Sequence, residues 1–316
     1  MTLIGHQTQR AAFEAAWQGR SFHHGWLLSG PRGVGKRAFA DAAARMVLSG
    51  AEGFEAAEGS DGAAKFDAGA HPDFRKVART ENDHGNLRTQ IVLDDIRPIA
   101  DMLGQHPSLS EWRVVTVDSA CEMNRNAANA LLKNLEEPPK KTVFLLVCHS
   151  SGRLLPTIRS RCRALAFRPL PDSEVAEVLR RELGEEPGPA LVEVARGAPG
   201  RAVRFAGLEV GKLLEALERL RGASGATASA IATGLAGELG RKPAAARYEA
   251  FLELVPAYLS DQAKDAPPDA LEEVLSLWEE ARDLAAAAPA RALDPAAVSY
   301  QLARLVARVP NHRQAA

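Results

Sequence analysis

The sequence predicts a three-layer α/β domain followed by a chain of helices, on three observations. Short, continuously apolar runs alternate with helix-like stretches through the first half. A glycine-rich turn stands directly between one such run and a helix. After Phe167 the strand-like pattern stops, and Gly or Pro breaks separate apolar stripes at helical spacing.

Taken in order, Gly25-Trp26-Leu27-Leu28-Ser29-Gly30 is the first strand-like run, and Lys36 to Leu48 carries apolar residues at helical spacing. From Ala51 to Ala70 the chain is rich in Gly, Ala and Glu without periodicity, which predicts a flexible surface loop. Trp112-Arg113-Val114-Val115-Thr116-Val117-Asp118 is β-branched, and Thr142-Val143-Phe144-Leu145-Leu146-Val147-Cys148 is apolar throughout. Runs apolar on both faces are expected in a parallel sheet covered by helices on each side. The helix between these runs is predicted from Asn124, a natural cap, to Leu135, where Pro138-Pro139 stops it. Pro169-Leu170-Pro171-Asp172 then marks a change of domain. Helices are expected at Ser173–Leu183, Ala190–Arg196 and Arg201–Phe205, with Asp172 or Ser173 as a cap. Farther on, Leu213, Leu214, Leu217 and Leu220 form one stripe, and Leu271, Val274, Leu275 and Trp278 another. Phe251, Leu254, Val255 and Tyr258 keep the same spacing, although Pro256 is expected to kink that helix or begin a new one.

The 316 residues exceed one small core, which suggests two or three domains, and the 46 % apolar and 25 % charged fractions exclude wholesale disorder. No run reaches the ~18 apolar residues of a membrane span, and the opening segment from Met1 lacks a signal-peptide pattern. Cys121, Cys148 and Cys162 stand far apart without a CxxC pair. That usage points to a reducing, cytoplasmic setting, with neither a disulfide framework nor a Cys-rich zinc site. The net charge of −1 leaves nucleic-acid binding open, because local patches matter more than the total.

Three features carry chemistry. Gly30-Pro31-Arg32-Gly33-Val34-Gly35-Lys36 has the strand-turn-helix setting of a phosphate-binding loop. Gly30, Gly33 and Gly35 let backbone amides approach phosphates, and Lys36 can reach the terminal ones. The next position departs from the pattern: Arg37 stands where Ser or Thr would ligate Mg²⁺, and a guanidinium has no lone pair for a metal. The second feature is Asp118, at the end of a predicted strand, which reads either as a metal-site acid or as a plain turn residue. Ser119 follows it and cannot act as a general base near neutral pH. The third is Ser160-Arg161-Cys162, inside a cluster of Arg153, Arg159, Arg161, Arg163 and Arg168. By itself such a cluster reads as a solvated face or an ion-pair network, and an arginine projecting from it as a site for a neighbour's phosphate only in company with other motifs.

The order of these motifs resembles a known family. Gly5-His6-Gln7, His24 to Lys36, His71-Pro72-Asp73, Asn126 to Pro139 with its Leu135-Glu136-Glu137-Pro138-Pro139 ending, and Ile158 to Arg163 follow one another over residues 5–205. This succession resembles the bacterial DNA polymerase III clamp-loader subunits, and within them the non-hydrolysing kind. The resemblance implies an AAA+ P-loop domain over 1–166, a small helical lid over 167–206 and an all-helical collar over 207–316. It implies that Arg161 is an arginine finger acting in trans on ATP held by a gamma/tau subunit. Gamma/tau and delta subunits would be the partners, with the sliding clamp and primer-template DNA reached through the complex, and no membrane. No cofactor is then required; ATP or ADP at the degenerate loop stays open. Arg201 falls where the family's lid sensor can lie, and equally where a solvated helix-start arginine would.

Many relatives carry a four-cysteine zinc module before His-Pro-Asp, whereas Ala51 to His71 contains no cysteine, so neither zinc nor another metal is expected. Asp61, Asp67 and Asp73 then read as solvated loop charges. The alternatives are an active gamma/tau-like motor, opposed by Arg37 and Ser119, and a DNA-binding adaptor outside a ring. The latter is opposed by the mixed charges of residues 208–264, where Glu218, Glu238, Glu249 and Glu253 offset Arg219, Arg221 and Arg241.

Overall fold

The structure, a computed structural model, describes residues 3–310 apart from 20, 58–59, 83–84 and 86. Met1 and Thr2 of the opening segment and Glu58 and Gly59 of the expected loop therefore lie outside the described residues, as do the side chains of 61–62. The chain divides into two compact units, 1–181 with 196–201, and 182–195 with 202–316. The segment expected as a separate lid, 167–206, contributes to both.

The first unit holds α1 (Gln7–Trp17), β1 (Gly25–Ser29), α2 (Lys36–Ser49), α3 (Asp61–Asp67) and β2 (Phe74–Ala78). It continues with α4 (Leu93–Leu103), β3 (Arg113–Asp118), α5 (Arg125–Glu136), β4 (Thr142–Cys148), α6 (Pro156–Arg159) and β5 (Arg163–Ala166), and takes in most of α7 (Asp172–Leu183). The strands form one sheet in the order β2-β3-β4-β1-β5. Every pairing is parallel: Gly25 lies opposite Phe144, Trp26 opposite Arg163, and Val114 opposite Phe74.

The period-two alternation of the central strands divides their side chains between two cores. Trp26, Leu28, Val143, Leu145 and Val147 pack with Phe13 of α1 and Phe39, Met46 and Val47 of α2 on one face. Leu27, Val115, Val117, Phe144 and Leu146 pack with Ile96 and Ile99 of α4 and Leu131 and Leu135 of α5 on the other. All seven residues of β4 are buried, as its unbroken apolar pattern requires. The Asn124 side chain caps α5 by accepting from the Ala127 amide at 2.9 Å.

Two expectations are corrected in this unit. Residues 51–70 are not a featureless loop: they contain α3, capped by Ser60 at 3.2 Å from the Ala63 amide. Phe54, Ala57 and Phe66 of this segment are buried against the α2 side of the sheet. Their apolar anchors are too widely spaced to leave a period. Nor is Asp73 a solvated charge. It is 3 % exposed, and its carboxylate accepts from the amides of Ser108 (2.7 Å), Leu109 (2.8 Å) and Ser110 (2.8 Å). These bonds hold its pKa below the usual range despite the opposing effect of burial. Asp67 pairs with Arg45 at 2.5 Å.

The second unit is helical: α8 (Pro189–Ala195), the later part of α9 (Pro199–Phe205), α10 (Val210–Arg221), α11 (Gly225–Leu239), α12 (Ala245–Lys264), α13 (Pro268–Ala290) and α14 (Pro295–Ala307). Its core joins Leu213, Leu217 and Leu220 to Phe251, Leu254, Val255, Leu259, Val274 and Leu277. Pro256 neither ends nor restarts a helix, because α12 runs through it. Buried Phe251, Leu252, Val255 and Leu259 on either side hold the helix against the loss of one backbone bond. On α13 the expected stripe divides: Val274 faces inward, joined by Leu277 from outside the stripe, while Leu271 and Leu275 are exposed. Among the described residues no helix is long and apolar enough to cross a membrane.

Candidate functional site

The glycine-rich turn leaves the carboxyl end of β1, where the first turn of α2 supplies its amides. Gly30 and Gly33 have φ of 153° and 82°, the left-handed side that a side chain resists. Close packing adds a second reason. A Cβ on Gly30 would stand 2.3 Å from the Phe167 carbonyl oxygen, and one on Gly33 2.9 Å from the Arg201 nitrogen. Gly35, φ 109°, is the residue before α2 and bears no side-chain cap.

The turn is held from two directions. The His6 ring Nε2 donates to the Val34 carbonyl at 2.7 Å, and its ring meets Phe167 edge-on at 4.7 Å. The Gly200 amide donates to the Gly33 carbonyl at 2.9 Å, which places the Arg201 backbone beside the loop. Burial pushes the His6 pKa down, so the ring is neutral at neutral pH. The Gly5-His6-Gln7 motif, to which sequence reading gave no task, is thus a pin for the loop.

Within this frame the loop's cations are engaged by their own chain. Lys36, 4 % exposed, donates to the carbonyls of Gly30 (2.7 Å) and Pro31 (2.5 Å). Desolvation lowers its pKa, opposed by the nearby Asp118 carboxylate. Arg37 Nε lies 3.9 Å from Asp118 Oδ2 and 3.8 Å from Asp41 Oδ2. Ser119 Oγ donates to Asp118 Oδ1 at 3.2 Å and stands 3.2 Å from His149 Nδ1. Glu122 pairs with Arg32 at 2.7 Å and Arg79 at 3.0 Å. Cys121 Sγ is 3.5 Å from His149 Nδ1. The neighbouring Cys148 thiol draws the Cys121 pKa down, while the same neighbour and burial push that of Cys148 up.

Mg²⁺, which phosphate loops of this kind engage through a hydroxyl and an acid, has no fitting donor set here. The guanidinium of Arg37 stands beside the one acid that would serve it, and Ser119 offers no carboxylate to activate water. The Cys121–His149–Ser119 contacts were beyond sequence reading, because their residues lie on two segments 28 or more positions apart.

Arg161 lies at the other end of the sheet. It precedes β5, and its carbonyl oxygen is 3.0 Å from the position a Cβ would take on Gly25, the first residue of β1. The phosphate loop follows the last. The five residues of β1 at about 3.3 Å each put about 16 Å between the two. The half-exposed Arg161 side chain pairs through Nη2 with Glu136 Oε1 at 2.8 Å and donates from Nη1 to the Thr157 carbonyl at 3.0 Å. The rest of the arginine cluster separates by role. Arg163 covers the Trp26 ring at 5.1 Å, and Arg153, Arg159 and Arg168 are exposed. Burial pushes the Cys162 thiol up to about 12, so it stays protonated.

A parallel five-stranded sheet with a phosphate loop after β1 and an acid ending β3 defines a protein with a P-loop core. A family model described as "DNA polymerase III, delta subunit" matches residues 5–171, and the chain belongs to that family. It is 40 % identical to DNA polymerase III subunit delta′ of Pseudomonas aeruginosa over 206 residues, 61 % of this chain and 60 % of that one. It is 32 % identical to the Escherichia coli subunit delta′ over 192 residues, 60 % of this chain and 56 % of that one. The chain thus spans about 60 % or less of the length of these curated relatives. A DNA polymerase III subunit tau/gamma of Haemophilus influenzae is 28 % identical over 204 residues, 63 % of this chain and 28 % of that one. A Thermotoga maritima gamma subunit-related protein of known structure aligns over 95 % of this chain and 99 % of its own, at 17 % identity and a TM-score of 0.46.

Proposed function

We propose that the chain is a non-hydrolysing, delta-prime-type subunit of a DNA polymerase III clamp loader, and that Arg161 is an arginine finger for ATP held by an adjacent gamma/tau subunit. Arg161 and the chain's own phosphate loop stand at opposite ends of β1, and this separation carries the reading. A guanidinium so placed serves a nucleotide held by another chain. It is permanently charged, and its fork can meet two phosphate oxygens. The degenerate loop supports the same reading from the other side: Arg37 and Ser119 replace the groups that metal-dependent hydrolysis needs. No nucleotide is required at that loop.

The reading places the protein in the cytoplasm, with gamma/tau and delta subunits as its neighbours and the sliding clamp and primed DNA as the targets of the assembly. It assigns residues 1–166 to the AAA+ domain, 167–206 to a lid and 207–316 to the collar that holds the ring. The test is Arg161→Ala in a reconstituted clamp loader. Arginine fingers in nucleotide hydrolases contribute about 10³ to 10⁵ in rate. The variant is expected to join the assembly and to lower DNA-stimulated hydrolysis by the share of the boundary that it serves. Unchanged hydrolysis and unchanged clamp loading in a fully assembled variant would refute the finger.

A further inference from the structure

The contacts of Arg161 in the free chain have a consequence for how it reaches a neighbour's nucleotide. Both terminal nitrogens of its guanidinium already have an acceptor from their own chain: Glu136 Oε1 on Nη2 at 2.8 Å and the Thr157 carbonyl on Nη1 at 3.0 Å. These are the nitrogens that form the outer edge of the fork, the edge that meets a phosphate with two parallel bonds. Glu136 is the last residue of α5, directly before the Glu137-Pro138-Pro139 stop, so its backbone is set by the end of that helix. Thr157 lies one turn before Arg161, in α6. Neither partner is buried deeply: the Arg161 and Glu136 side chains are 36 % and 43 % exposed, so another anion can approach the pair.

We infer that Glu136 is a positioning residue that holds the Arg161 fork in the free chain and is exchanged for phosphate oxygen when a neighbour's nucleotide arrives. This rests on the finger assignment above. No bond is made or broken covalently; one carboxylate acceptor gives way to another anion, and the arginine stays charged throughout. The holding has two effects. The guanidinium keeps a fixed direction before assembly, which reduces the rotamer freedom lost on engagement. The carboxylate also competes with the nucleotide for the same edge. An exposed ion pair contributes ~0.2–1 kcal/mol, which sets the size of that competition.

Glu136→Gln keeps the shape and removes the charge. In a clamp loader reconstituted with gamma/tau, delta and primed DNA, ATP titration is expected to show half-saturation at a ~2- to 5-fold lower concentration, the maximal rate remaining within about twofold. A merely structural glutamate would instead lower the melting temperature and leave half-saturation alone. Raising the salt concentration is expected to narrow the gap between variant and wild type, as screening weakens the pair. Arg161→Ala is measured beside it, and the double variant is expected to match Arg161→Ala alone. If Arg161→Ala lowers the rate while Glu136→Gln leaves half-saturation unchanged or raises it, the holding role is refuted and the finger stands. If Arg161→Ala has no effect, the finger and the holding role fall together.

Discussion

At the carboxyl end of the sheet, Lys36, Arg37 and Arg32 are engaged by Gly30, Pro31, Asp118 and Glu122 of their own chain. At the amino end, Arg161 is held by a half-exposed carboxylate and one backbone carbonyl, contacts that an incoming anion can replace. Both ends carry cations suited to phosphate; at the loop it is Lys36 that is buried, while the Arg32 and Arg37 side chains (59 % and 66 % exposed) are more open than that of Arg161 (36 %). Lys36 is 4 % exposed, and its loop is pinned by His6 and Gly200. On the proposed reading, the difference is between a loop that acts as a structural joint, held by His6 and Gly200, and an arginine at the far end that serves a partner.

The largest expected effect lies at the loop end and concerns stability. Gly30→Ala brings a Cβ to 2.3 Å from the Phe167 carbonyl at a φ of 153°, with backbone on both sides of the clash. Denaturant unfolding is expected to show a loss of about 3 kcal/mol or more. A loss below about 1 kcal/mol would mean that the loop is not the joint described.

The next prediction sharpens the contrast through pH. The folded-state pKa of His6 is lowered by burial, so the unfolded chain binds more protons below its ordinary value of 6.5. Its contribution is present above that value and is lost as pH falls toward the depressed folded value. His6→Gln retains a donor for Val34 without a titrating ring. The decline in melting temperature from pH 7.5 to 5.5 is expected to be shallower in this variant than in wild type. An identical decline would place the titration elsewhere, with buried His71 the next group to test.

The smallest effects are expected at the exposed pairs. Arg37→Ala breaks contacts of 3.8 and 3.9 Å by a side chain that is 66 % exposed, so its stability change should stay below about 1 kcal/mol. Arg37→Thr restores a metal-ligating hydroxyl but leaves Ser119 without a base. Steady ATP turnover by the isolated Arg37→Thr chain would break the comparison by showing the loop needs only one repair.

Much of this arrangement was legible in the sequence, for particular reasons. β1, β3 and β4 announce themselves because both faces are buried, and α5 because Asn124 and Pro138 bracket it. β2 and β5 are edge strands, Phe-Arg-Lys-Val-Ala and Arg-Ala-Leu-Ala, whose charged, partly exposed residues break the apolar run. The helix within 51–70 was hidden because its few apolar residues answer to a distant surface. At the site, the residue types named the glycine-rich loop and showed Arg37 and Ser119 where a hydroxyl and a base would stand; they proposed a role for Arg161 that rests on the reading above. Partners could not be read. Glu136 precedes Arg161 by 25 positions, and only the packing of α5 beside α6 brings them together. Asp73 looked like a loop charge because its partners are chiefly the backbone amides of 108–110, which carry no sequence signal.

The central claim is that this chain acts on a nucleotide it does not hold. It is tested most directly by ATP hydrolysis in assemblies carrying wild type, Arg161→Lys or Arg161→Ala, each normalised to incorporated subunit. The isolated Arg161→Ala chain should unfold within about 1 kcal/mol of wild type, since it loses one half-exposed pair. The assembly containing it should nevertheless lose the share of DNA-stimulated hydrolysis belonging to one boundary, with Arg161→Lys recovering only part, because an ammonium keeps the charge and lacks the fork. Equal hydrolysis by all three assemblies, together with a lowered stability of the isolated Arg161→Ala chain, would show that Arg161 serves only its own domain.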